Sequence, residues 1–80
     1  MIKSNQGNGY PKPHQVNAIR KQYPEGTRVA LVEMDDPHTK LKPGDEGTVC
    51  FVDDMGTIHI NWDCGSSLGA VYGEDIIRKI

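Results

Sequence analysis

The chain has 80 residues, 36 % of them hydrophobic, with nine Gly and five Pro but only one Phe and one Trp. That length admits one small domain with a thin core, since such a domain buries only about two thirds of its unfolded surface, and no run approaches the roughly 20 apolar residues of a membrane helix. Net charge is −2, yet residues 29–75 hold two lysines against ten acids, an excess of −8 that repels phosphate backbones and favours a basic partner or plain solubility.

In chain order, residues 1–12 are rich in Gly, Asn, Lys and Pro without periodic apolar positions, and are expected to form a flexible leader. They hold no apolar stretch resembling a signal peptide, so a cytoplasmic protein is expected. The single domain is then residues 13–80. From 13 to 23, Val16, Ile19 and Tyr23 fall on one helical face, and Pro13 suits a first helical position. Pro24 and Gly26 end this short amphipathic helix.

Thr27 to Met34 alternates as a first strand, with Val29 and Leu31 on one face and Arg28, Ala30 and Val32 on the other. Asp35 to Glu46 is a long loop whose Pro43-Gly44 pair favours a turn with Gly left-handed. Gly47 to Asp53 and Thr57 to Asp63 form a hairpin around Asp54-Met55-Gly56, where a type I turn followed by left-handed Gly gives a bulged connection. After a turn at Cys64-Gly65-Ser66, residues 67–72 read as a fourth strand, Glu74 to Ile77 as a helical turn, and the end as a fifth strand. The fold class expected is mainly β, a five-stranded small barrel preceded by one short α-helix.

That element order is similar to an SH3-like barrel. The phrases YPEGTRVALVEMDDPHTKLKPGDEGTV, VDDMGTIHINWDCGSSL and the closing RKI also resemble a bacterial and phage family catalogued as a domain of unknown function, DUF4314. The resemblance runs from about Ala18 to Ile80, and its most specific elements are Met34-Asp35-Asp36-Pro37, Lys42-Pro43-Gly44, Asp53-Asp54, Trp62-Asp63 and Gly65-Ser66. It implies an origin in bacteria, phages or mobile elements and brings no assigned activity. Cys64 stands where such families usually carry Asn after Trp-Asp.

Few residues suggest chemistry. Cys50 and Cys64 lie three or four positions out of the hairpin register, roughly 10–13 Å apart at about 3.3 Å per residue, beyond disulfide reach. A metal site on these two cysteines would need two more ligands from His14, His38, His59 or Asp63, and no CxxC or HxxxH spacing is present. Asp35-Asp36 and Asp53-Asp54 are adjacent pairs whose side chains diverge in a strand, so they suit turn chemistry, with Asp53 opening the hairpin turn. His59 reads as a solvated strand residue without an evident nucleophile to activate.

Trp62 reads as partly buried, with its indole N–H near the long loop and a groove shared with His38 and Tyr72. The function expected is a non-enzymatic binding module that contacts a protein partner through the acidic loop and the Trp62 surface, using Asp35, Asp36, His38, Trp62, Asp63 and Tyr72. Two alternatives are oligomeric sequestering of a small nucleotide-like ligand and nucleic-acid binding through Lys12, Arg20, Lys21 and Arg28. No catalytic residue, metal or cofactor is expected.

Overall fold

In a computed structural model, residues 11–34, 40–71 and 73–80 are described, and they form one helix and four strands. The elements are α1 (Pro13–Gln22), β1 (Arg28–Glu33), β2 (Glu46–Val52), β3 (Ile58–Trp62) and β4 (Ile76–Lys79). The strands make one antiparallel sheet in the order β3-β2-β1-β4.

The helix forms where its apolar spacing places it. Pro13 occupies the first turn, where its missing N–H costs nothing, and the Gln15 side chain accepts the Lys12 backbone N–H at 2.8 Å. Val16, Ile19 and Tyr23 are buried, and Ile19 and Tyr23 join the core cluster with Val29, Leu31, Leu41, Val49, Val52, Ile58, Ile60, Trp62, Ala70 and Ile77. Burial holds the Tyr23 phenol above its ordinary range, and the Lys79 ammonium sits 5.4 Å from its ring centroid.

Both turn expectations that rest on glycine hold. Asp45 N–H donates to the Lys42 carbonyl at 3.0 Å across Pro43-Gly44, with Gly44 at φ 96°. The loop end is then tied to β1, because Leu31 N–H donates to Asp45 O and Gly44 N–H to Leu31 O, at 2.8 and 2.7 Å. In the hairpin, Gly56 N–H donates to Asp53 O and Asp53 N–H to Thr57 O, both at 3.0 Å, with Gly56 at φ 83°.

Where five strands closing into a barrel were expected, the described residues form an open four-stranded sheet. Residues 67–72 were expected as a strand, but among the described ones, 67–71, only Ala70 pairs, in an isolated bridge to Ile58. Trp62 explains the interruption. Trp62 N–H donates to Ser66 O at 2.8 Å and Ile58 exchanges two bonds with Ala70, which sets a register opposing residue 60 to residue 68. The Leu68 carbonyl instead accepts the Trp62 indole N–H at 2.7 Å, and no ladder forms between.

The expected helical turn at Glu74 to Ile77 is also corrected. A single turn ends at Asp75, whose N–H donates to Val71 O at 3.0 Å while its buried carboxylate accepts the Val71 N–H at 2.8 Å. Ile76 and Ile77 belong to β4, where Ile77 opposes Leu31 and is 1 % exposed. Core burial of Ile77 outweighs local helical preference.

Candidate functional site

Of the six residues expected to line the binding surface, Asp35, Asp36, His38 and Tyr72 lie outside the described residues. Trp62 and Asp63 are adjacent, and their side chains diverge. Trp62 is 3 % exposed, within the core, and its indole N–H bonds the loop after β3 rather than the long loop before β2. It is a core residue with a satisfied polar tip, so it offers no exposed ring to a groove.

Asp63 is on the surface, in a charged group built on the first residues of β1 and β2. The Arg28 guanidinium makes a two-pronged contact with it, Nη1 to Oδ1 at 2.8 Å and Nη2 to Oδ2 at 2.6 Å. It also reaches Thr48 Oγ1 at 2.9 Å and Glu46 Oε1 at 3.3 Å. Arg28 and Thr48 are directly opposed across β1 and β2, so the strand register assembles this group. The bond from Arg28 holds the Asp63 carboxyl below its ordinary range, and Asp63 raises Arg28 in turn.

Arg20 has a similar position at the other end of the hairpin. Its Nε donates to Val52 O at 3.1 Å, and its Nη2 to Asp54 Oδ1 at 2.6 Å, which ties α1 to the hairpin turn. A shallow depression of about 240 Å³ lies there, lined by Pro11, Pro13, Val16, Asn17, Arg20 and Asp54. The four basic residues of the nucleic-acid alternative are therefore not one patch. Lys12 and Lys21 are exposed, while Arg20 and Arg28 are each bonded to carboxylates of the same domain. Val52 and Thr48, their contacts on β2, are four residues apart, about 13 Å along the strand.

A third cluster, which the sequence reading did not single out, lies on the outward face of β2 and β3. Phe51 and His59 are opposed in the ladder, and their rings stack with centroids 4.3 Å apart and planes 10° from parallel. His59 Nε2 lies 2.9 Å from Asp53 Oδ2, while Asp53 Oδ1 accepts N–H bonds from Met55 and Thr57, both at 2.9 Å. Burial opposes ionisation of Asp53, but the bonds from His59, Thr57 and Met55 together outweigh it and hold the carboxyl below its ordinary range. The turn role expected for Asp53 is present, and His59 is added to it.

Phe51 faces outward because the ladder slips at Cys50. Val49 opposes Ile60 and Phe51 opposes His59, so Cys50 is an extra residue in β2. Val49 and Val52 are buried, with half-buried Cys50 and a 55 % exposed Phe51 between them. Strict alternation from Val49 would have turned Phe51 inward. The signal available in sequence was the hairpin turn, which sets Phe51 against His59 once its type is known. Cys50 and Cys64 are free thiols. Among the described residues no group of three or more His, Cys, Asp or Glu side chains could hold a metal ion, and no helix is long and apolar enough to cross a membrane.

The profile of a family described as a domain of unknown function, DUF4314, matches residues 12–80. No curated protein and no solved structure matches the chain.

Proposed function

We propose, from the premise that the chain belongs to the DUF4314 family, that it is a non-enzymatic binding module whose acidic surface contacts a basic protein partner. The observation that carries this reading is the distribution of charge. Residues 29–75 are at −8, and the two arginines packed against that body are already bonded to Asp54 and to Asp63 and Glu46. The charge left to attract a partner is negative. Asp63 lies on this surface, the expected contacts Asp35 and Asp36 lie outside the described residues, and Trp62 supports the surface from the core.

We read the architecture as an SH3-like small barrel of bacterial, phage or mobile-element origin, working in the cytoplasm. In support, residues 66 and 70 return along the outer edge of β3 in one register. They are a rudimentary further strand beside the order β3-β2-β1-β4. The test is capture of partners by the tagged full chain and by an Asp35→Lys, Asp36→Lys variant. Loss of a captured polypeptide from the variant supports the acidic surface; unchanged capture places the contact elsewhere. Recovery of nucleic acid, or of a small ligand on an oligomer, would favour one of the other two readings.

A further inference from the structure

We propose that Phe51, backed by His59 and flanked by Asp53, is a docking point for one cationic side chain, Lys or Arg, of the partner. This deepens the proposed function and rests on its basic partner. Phe51 is 55 % exposed although His59 covers one face of its ring, so the opposite face is open. It is outward because of a bulge at Cys50, a device that re-aims a side chain at the cost of a broken ladder. The stack is also fixed from below. His59 is held by Asp53, and Asp53 by two backbone N–H groups of the turn.

The occupant follows from charge. An aromatic face attracts a cation through its quadrupole, and a carboxylate beside it adds to the attraction. Arg20 offsets the neighbouring Asp54, while Asp53 bonds His59 and two backbone N–H groups, with no lysine or arginine paired to it among the described residues. A nucleobase could also stack on a phenyl ring, but its phosphate would meet this carboxylate and the −8 body. Met55, 53 % exposed at the hairpin tip, supplies a further apolar contact for the stem of a long basic side chain.

The experiment is a titration of the isotope-labelled full chain with a capped hexapeptide of alternating Gly and Arg, and with its Gly and Glu counterpart, followed by NMR. The expected result is binding of the Arg peptide alone, with shifts centred on Phe51, Met55 and His59 and with arginine side-chain protons moved upfield by the ring. Phe51→Leu keeps an apolar side chain without the π face and is expected to weaken binding about two- to five-fold, whereas Phe51→Trp restores it. Arg-peptide binding centred elsewhere, or equal affinity for the wild type and Phe51→Leu, would overturn the docking point and leave the acidic-surface reading standing. No binding of the Arg peptide to the wild type, or equal binding of the Glu peptide, would overturn both. The upfield shift is read on the wild type, so it tests the contact even if a variant fails to fold.

Discussion

Asp53 shows how much one surface carboxylate does here. One oxygen closes the hairpin turn through Met55 and Thr57, and the other holds His59. Its carboxyl is depressed in the folded state, so the folded chain binds fewer protons there than the unfolded chain, whose Asp titrates near about 3.9. Its stabilisation is therefore present above about pH 4 and is lost as pH falls through the depressed folded value. Urea melts at pH 7 and pH 3 are expected to show the wild type losing stability on acidification and Asp53→Asn losing less of it; an equal loss would remove Asp53 from this role. Asp53→Ala, with both turn bonds gone, is expected to cost about 1–3 kcal/mol at pH 7. Trp62 illustrates a residue whose type was legible and whose partner was not. It was expected to be partly buried with its indole N–H near the long loop, but it is 3 % exposed and the Leu68 carbonyl that meets its indole lies in a loop whose path local pattern does not fix. Trp62→Phe keeps the ring and removes the donor. It is expected to cost about 1–3 kcal/mol and to speed amide exchange at Ala70, whose N–H bonds Ile58 beyond that loop.

At the scale of elements, what was legible depends on whether a local rule or a distant contact decides. The hairpin turn and the Pro43-Gly44 turn were readable because glycine and Asp act on their own backbone within four residues. The ends of α1 were readable for the same reason, from Pro13 and Pro24. The bulge at Cys50 was not, because it reconciles the hairpin register with Val49 and Val52 both facing the core, which only the assembled sheet demands. Nor was the reduction of the fourth strand to one bridge, since a side chain from β3 takes the carbonyl a ladder would use. Gly47 offers a test of the sheet geometry. It opposes Trp62, and a Cβ added there would lie 2.6 Å from Ile60 Cγ2 and 2.9 Å from the Asn61 carbonyl oxygen. Gly47→Ala is therefore expected to destabilise by overpacking, about 1–3 kcal/mol, measured by chemical denaturation. Gly56→Ala is expected to cost about 1–2 kcal/mol from its left-handed backbone alone, and more if Pro11 stays, because the new Cβ would lie 2.7 Å from Pro11 Cγ. Retaining Pro11 but finding Gly56→Ala neutral would contradict the turn.

For the whole molecule, the sign of the acidic excess could be read from composition, while which aromatic side chain reaches the surface depended on the sheet register that exposes Phe51 and buries Trp62. That register also decides how far the chain tolerates change. A domain of 80 residues has a total stability of only about 4–12 kcal/mol, and here one cluster from α1 and the four strands supplies the core. Leu31 is 2 % exposed in that cluster, opposes Ile77 of β4, and its backbone exchanges bonds with Gly44 and Asp45. Leu31→Ala leaves those backbone bonds in place and removes only the side chain, at an expected cost of about 2–5 kcal/mol. For a domain this small that lowers the melting temperature by about 10–40 °C, enough to leave part of the chain unfolded at physiological temperature. Val32 is the internal control, next in sequence but 42 % exposed at the point where the β1 and β4 register shifts. Val32→Ala is expected to change stability by no more than about 0.5 kcal/mol. Thermal melts of the two variants followed by circular dichroism decide between them: a large drop for Leu31→Ala beside a small one for Val32→Ala supports the register, the reverse pattern would mean that β1 is displaced by one residue, and equal drops would contradict the burial difference between the two positions.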